Sequence, residues 1–377
     1  MIAVIADDIT GAAEIAGIAW RWGLRTRLLT RAEDADGPCD VLVVATDARS
    51  LPVDKAVAET AQAASRLKGC GLLFRKTDSA LRGHVVEELH AMIECGGVKG
   101  ALYLPANPSK GRIIRQGTYL IHGVPIDETD FSFDPEYPAR TASMAERFPE
   151  MALWHGEQVR GQICYADAES GDDMRQIVDH TPPDVLLAGA ADLFTALLAR
   201  EYPNAIRRER FLPHLDLNSL IVVCGSTLSR LIPIAVETVP MPRDVYDGQS
   251  GPTQWTEQAE RIYTRDGGII LTIPYACQKA DPILALRLRT VMGATTAMLI
   301  RRRSPRDLII EGGATAFALL QRLGWSAFQL TGEIAPGVVT MQSARGTFVT
   351  LKPGSYDWGG LFGQSEQVTG DKWRRMR

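Results

Sequence analysis

The stretch Ile2-Ala3-Val4-Ile5-Ala6-Asp7-Asp8-Ile9-Thr10-Gly11-Ala12 decides how the rest of the chain is read. Its first five residues are apolar and rich in β-branched side chains, the composition of a strand covered on both faces. The run stops at two aspartates. Thr10 then reads as the N-cap of an Ala-rich segment with apolar residues at Ile15, Ile18, Ala19 and Trp22, a helical spacing. Strand, polar turn and helix make half of a βαβ unit. In such sheets ligands bind beyond the carboxyl ends of the strands, so the residues just after each strand become the candidates for function.

The same unit recurs outward from this start. Residues 41–44 read as a strand, 53–67 as a helix, 72–74 as a strand, 85–93 as a helix and 101–104 as a further strand. Residues 107–140 break the pattern with Gly, Pro and polar residues, and irregular segments of that length tend to carry function. Alternation returns with a strand at 185–188 and a helix running through Leu198. A second domain starts near His214, with strands at 220–223, 268–273 and 308–310 and a long basic helix at 283–303. Glycine turns follow two of these strands, and a helix at 316–323 ends at Gly324. The expected fold is α/β in two domains, 1–212 and 213–377, each a mostly parallel sheet flanked by helices.

The bulk properties agree with two soluble domains. A chain of 377 residues is too long for one ordinary core. A net charge of −4 gives no electrostatic basis for a nucleic-acid partner, though local Arg and Lys can still meet small anions. Six cysteines without a CxxC pair read as buried thiols of a cytoplasmic protein. Asp7 and Asp8 interrupt the first apolar run, so no signal peptide is expected. No uninterrupted apolar window of about 18 residues occurs, so neither is a membrane span. The P-loop pattern, GxGxxG, HExxH and GxSxG are all missing, and no histidines stand at metal-ligand spacing, so no protein-held metal site is expected.

The strand-end residues mix carboxylates, cations and hydroxyls: Asp7, Asp8 and Thr10; Asp47 and Arg49; Lys76, Thr77, Asp78 and Ser79, with Arg82 and Gly83 close behind; and Pro105, Ala106 and Asn107. Carboxylates accept hydrogen bonds from sugar hydroxyls, and one of them can take a proton from an attacking hydroxyl. Arg82 and Arg112 suit a substrate carboxylate, and Lys76 suits charge developing on a phosphoryl group. In the second domain the strand ends carry glycine instead: Gly225-Ser226, Gly312-Gly313-Ala314-Thr315 and Lys352-Pro353-Gly354. Glycine there admits a phosphate to the backbone and to a helix N-terminus.

Taken together these segments resemble the four-carbon acid sugar kinase family. Asp7, Asp8, Thr10 and Gly11 stand as in its ADDxTGA opening, and residues 76–83 are similar to its KxDSxLRG segment. The loop from Pro105 to Arg112, the Gly225-Ser226 and Gly312-Gly313 turns and Ala335-Pro336-Gly337 follow in the family's order. The resemblance implies phosphorylation of erythronate, threonate or 3-oxo-tetronate by ATP with Mg²⁺. It further implies an acid-sugar domain, a nucleotide domain and a reaction in the cleft between them. Asp8, Lys76 and Asp78 then carry catalysis, with Asp8 or Asp78 as the base. Asp7, Thr10, Ser79, Arg82, Gly83 and Arg112 face the acid, while Ser226, Gly312, Gly313, Ala314, Thr315 and Gly354 hold ATP. A homodimer is expected from the frequency of two-fold oligomers. Ala314 departs from the acidic or hydroxyl residue usual in the family, which keeps open a sensor that binds an acid sugar or a nucleotide without turnover. A nicotinamide-type enzyme on a similar sheet is a further alternative, disfavoured by the missing GxGxxG.

Overall fold

The computed structural model describes residues 1–156, 159, 161–225, 232, 234–274, 282–354, 356, 358 and 360–362. In it Ile2–Ala6 forms strand β1, every residue buried. Asp8 follows in an extended conformation and caps helix α1 (Ile9–Arg21), its side chain accepting the Gly11 amide. This corrects the expectation that Thr10 is the cap. Thr10 lies inside the first turn and donates its hydroxyl to Asp8 at 2.5 Å. The capping oxygen has to come from the extended residue at the junction, and that residue is Asp8.

The remaining elements of the first unit are β2 (Thr26–Leu29), β3 (Val41–Ala45), α2 (Val53–Leu67), β4 (Leu72–Lys76), α3 (Val85–Gly96) and β5 (Ala101–Leu104). After these come β6 (Arg112–Arg115), β7 (Thr118–Ile121), β8 (Val124–Pro125), α4 (Met144–Arg147), β9 (Ala152–Leu153), β10 (Ile163–Tyr165), α5 (Gly171–His180), β11 (Leu186–Gly189) and α6 (Ala191–Glu201). The main sheet runs β2-β3-β1-β4-β11-β5-β10-β9 with its strands parallel. The chain leaves β1 toward β2 and β3 on one side, then crosses to β4 on the other. That reversal is a topological switch point, the place where such sheets open a crevice for ligand. Register sets its floor: Ala6 pairs with Ala45 and with Lys76, so β1, β3 and β4 end level with one another.

The stretch expected to be irregular contains a small antiparallel sheet, β6-β7-β8. Its strands are joined by Gln116-Gly117 and His122-Gly123, all four with positive φ. Two-residue loops of this kind match the strand twist, and glycine at the second position makes them accessible.

The second unit comprises Arg210–Leu323 and Thr331–Arg377, while Gly324–Leu330 groups with Met1–Glu209. The sequence reading divides the chain once, at 212/213. The difference arises because Ala327, Phe328 and Gln329, at the start of β16 (Ala327–Ala335), pair antiparallel with β2. The second unit contains β12 (Leu220–Cys224), β13 (Glu237–Pro240), α7 (Arg243–Tyr246), α8 (Pro252–Asp266), β14 (Gly268–Thr272), α9 (Pro282–Arg303), β15 (Asp307–Glu311), α10 (Gly313–Leu323), β17 (Val338–Ser343) and β18 (Phe348–Lys352). Its sheet runs β13-β14-β12-β15-β18-β17, parallel except where β17 meets β18. Leu220, Val222, Cys224, Ile270, Ile309, Ile334 and Val338 form a core cluster on one face.

Helix α9 modifies one expectation. From Ile283 to Arg303 it is long and apolar enough, by length and composition, to cross a membrane. Arg287 and Arg289 break its apolar run, so the sequence holds no uninterrupted apolar window there. It packs against α8 and α10 and buries Leu288, Met292, Leu299 and Ile300, as a core helix does.

Candidate active site

The switch point of the first unit gathers charges around one arginine that the sequence placed at a strand end without a role. Arg49 follows β3. Its Nε and Nη2 donate to the two oxygens of Asp7 at 2.8 and 2.9 Å, and its Nη1 donates to Asp8 at 3.0 Å. Asp78, after β4, stands 3.8 Å from the same guanidinium. Burial alone lowers the Arg49 pKa, but Asp7, Asp8 and Asp78 more than reverse this and raise it well above its ordinary value. The cluster depends on register. Asp7 and Asp8 follow β1, Arg49 follows β3 and Asp78 follows β4, and the parallel pairing of three level strands makes them neighbours.

Arg82 completes the group. It donates from Nε and Nη2 to both oxygens of Asp78 at 2.9 and 3.0 Å, and Asp134 lies 3.4 Å from its Nη1. Burial pushes the Asp78 carboxyl up, yet Arg49, Arg82 and Lys76 together hold it well below the usual carboxylate range. Its segment is bent sharply. Leu81 and Gly83 both have positive φ, and a side chain at Gly83 would meet Asp7 at 3.4 Å.

Lys76 ends β4 and is 4% exposed. It donates to the Thr77 carbonyl at 2.9 Å and lies 3.6 Å from Glu14 of α1. Lys110 reaches the same carboxylate at 2.5 Å. Burial raises the Glu14 pKa, but the two lysines outweigh it and leave the group ionised below its ordinary value. Gly11 lies between this group and the aspartates. A Cβ there would come within 2.7 Å of Asp8 Oδ1 and 3.3 Å of Lys76 Nζ, so glycine is needed for α1 to approach both.

The expected site residues are thus distributed unevenly. Asp8, Thr10, Asp78, Arg82 and Gly83 gather around Arg49, and Lys76 flanks them across Gly11. Ser79 instead accepts from Arg112, whose guanidinium also covers the Phe131 ring at 5.4 Å. Asp7, expected to face the acid, is engaged by the protein itself. Its side chain is 3% exposed and both its oxygens are taken by Arg49, so it stands behind that arginine. Arg82 likewise turns its bidentate edge to Asp78. Glu14, Lys110 and the central role of Arg49 went unrecognised from sequence. The one available sign was a charged residue on a helix face otherwise rich in Ala and Ile.

In the second unit, β12, β15 and β18 also end level, with Cys224 opposite Glu311 and Glu311 opposite Lys352. Gly312, at φ +98, turns the chain into α10, whose first-turn amides have no acceptor within the helix. Thr315 packs against Gly225 so closely that a Cβ there would stand 2.1 Å from its Oγ1. Gly225 therefore makes room for α10. Gly312, Gly313 and Ala314 remain at the accessible mouth of the turn, and Gly354 follows β18 beside them. Ser226 lies outside the described residues. Among the described residues no three His, Cys, Asp or Glu side chains are grouped to hold a metal ion.

Comparison with known proteins gives the following. The family described as a sugar-binding N-terminal domain matches residues 2–153, and that described as a nucleotide-binding C-terminal domain matches residues 262–356. A 3-oxo-tetronate kinase of Brucella melitensis is 35% identical, with 98% of this chain and 97% of the relative aligned. A D-threonate kinase of Salmonella typhimurium is 26% identical, over 92% of this chain and 90% of the relative. A solved Haemophilus influenzae structure has a TM-score of 0.75 at 20% identity, covering 96% of this chain and 98% of that one, a likeness of fold.

Proposed function

Since this chain belongs to the four-carbon acid sugar kinase family, we propose that it transfers the γ-phosphoryl group of ATP to a hydroxyl of a four-carbon acid sugar: erythronate, threonate or 3-oxo-tetronate. The first unit takes the acid and the second the nucleotide, in keeping with the sugar-binding and nucleotide-binding families matched by its two parts. The observation that carries this reading is the group of Asp8, Asp78, Arg49, Arg82 and Lys76 at the level ends of three central strands.

The reaction forms a bond between the substrate oxygen and the γ-phosphorus and breaks the bond from that phosphorus to the β-phosphate oxygen. ADP leaves with the electron pair, and the hydroxyl proton passes to a protein base. Of the two candidates Asp8 is the better. A base works best with a pKa near the working pH, and Arg49, Arg82 and Lys76 hold Asp78 far below it. Asp78 instead fixes Arg82. Lys76 supplies positive charge against the developing phosphoryl charge, and Arg112 offers its guanidinium group to the substrate carboxylate. The open turn at Gly312 to Ala314 suits the phosphates of ATP. Mg²⁺, which usually needs only one or two protein carboxylates beside the nucleotide's oxygens, would neutralise phosphate charge when bound. A cytoplasmic location belongs to the same proposal.

The test is ADP release with Mg-ATP against a panel of D- and L-erythronate, D- and L-threonate and the 3-oxo-tetronates. Turnover on one member names the substrate. Silence across the panel with ATP bound rejects four-carbon acids. Silence with no ATP bound favours the sensor reading, to which the apolar Ala314 in the nucleotide turn points.

A further inference from the structure

We propose that Lys352 and Glu311 form a buried latch that positions the two glycine turns of the nucleotide site, with Lys352 acting as a positioning residue for ATP. This rests on the reading of the second unit as the nucleotide unit. Glu311 is the last residue of β15 and Lys352 the last of β18, opposite each other in register. Both side chains are essentially inaccessible, at 1% and 2% exposure. Lys352 Nζ donates to Glu311 at 2.7 Å, to the Pro353 carbonyl at 3.1 Å and to the Gly354 carbonyl at 3.2 Å. Its three donors thus have three acceptors, and its ammonium lies 4.6 Å from the Trp358 ring centroid.

The placement is unusual for an ion pair kept only for stability. Taking two charges out of water costs several kcal/mol per ion in general, and an apolar pair of the same volume often serves stability as well or better. What an apolar pair cannot do is hold the Pro353 and Gly354 carbonyls. On the facing strand, Glu311 leads directly into Gly312, whose amide donates to the Lys352 carbonyl at 2.9 Å. The glycine turn before α10 and the glycine turn after β18 are therefore tied to each other twice, once through backbone and once through the ammonium. Fixing both turns in advance removes ordering cost from nucleotide binding.

The experiment uses the full chain and three measurements on each protein: ATP affinity by calorimetry, acid-sugar affinity by calorimetry, and thermal unfolding. A single substitution such as Lys352→Met strands a buried carboxylate and risks the fold. The decisive variant is the double substitution Glu311→Met with Lys352→Met, which removes both charges at similar volume. The expected result is a folded protein with unchanged acid-sugar affinity and ATP affinity weakened about tenfold, the worth of one charge-assisted hydrogen bond. Lys352→Arg, which retains the charge and the donors, should recover most of that loss. ATP affinity within twofold of the parent in the folded double variant overturns the latch. So does a parallel loss of acid-sugar binding and thermal stability, which marks a general support of the fold. If the parent chain itself binds no ATP, the nucleotide reading fails first and the latch falls with it.

Discussion

Asp8→Asn separates catalysis from support, because Asp8 carries both roles. Its Oδ1 caps α1 by accepting the Gly11 amide at 2.8 Å, while its other oxygen faces Arg49 and Thr10. Asparagine caps about as well as aspartate, so α1 keeps its N-terminus. The Arg49 contact is lost, yet Arg49 retains both oxygens of Asp7. With the Asp8 side chain 18% exposed, the cost to stability is about 1 kcal/mol. For a unit of this size that lowers the melting temperature by about 2–4 °C. The chemical cost is larger. An amide cannot take the hydroxyl proton, and losing a general base lowers kcat by about 10² to 10⁴, or roughly 3–5 kcal/mol of barrier. ADP release at saturating acid sugar and Mg-ATP reads kcat, and calorimetry reads ATP affinity on the same preparation. The expected variant is folded, binds ATP as the parent does and turns over at least about a hundredfold more slowly. A kcat within a few-fold of the parent refutes the assignment of Asp8 as base. Asp8→Ala is the control: it loses the cap as well, with about 1 kcal/mol of further destabilisation.

Three further outcomes follow from the geometry. The Asp78 pKa is lowered in the folded chain, so its contribution is present above the ordinary carboxylate value of about 4 and drains away as pH falls toward the folded value. Urea titrations should show Asp78→Asn less stable than the parent by about 2–3 kcal/mol at neutral pH, somewhat under the range for fully buried pairs because Arg82 is partly exposed. That gap should narrow as pH drops below about 4, and a gap constant with pH contradicts the cause given for the shift. Gly225→Ala drives a methyl into Thr315 and should destabilise the second unit by about 1–3 kcal/mol while weakening ATP binding. Denaturant titration and calorimetry check both, and an unaffected variant shows that α10 can move aside. Glu14→Gln removes the anion shared by Lys76 and Lys110. With Lys76 less firmly placed, kcat should fall about tenfold, the worth of one charge-assisted hydrogen bond, and unchanged kinetics exclude Glu14 from positioning Lys76.

Strongly patterned elements could be read directly. Helix α2 spans Val53–Leu67 and strand β5 spans Ala101–Leu104, as their periodicity predicts, because a buried strand or an amphipathic helix leaves its period in the residues that make it. Elements with weak local signals were missed. Helix α8 buries only Trp255, Thr256, Ala259 and Tyr263 along a mostly polar stretch. The β6-β7-β8 hairpins turn on Gln-Gly and His-Gly, where Asn-Gly is the recognisable form.

For the site, sequence alone determined which residues stand at strand ends, and hence Asp8, Lys76, Asp78 and the glycine turns as candidates. It could not rank them, since a strand-end aspartate reads the same whether it caps a helix, holds an arginine or accepts a proton. Only the tertiary structure decided that Asp7 lies behind Arg49, that Asp78 is bound up by Arg82, that Lys76 and Lys110 share Glu14, and that Glu311 and Lys352 are one buried pair. These partners are 4 to 96 residues apart in sequence. Asp78 meets Arg82 through the local bend at Leu81 and Gly83, whereas the other pairings depend on parallel register and on how closely a helix approaches its sheet, long-range quantities that no local pattern of residues records.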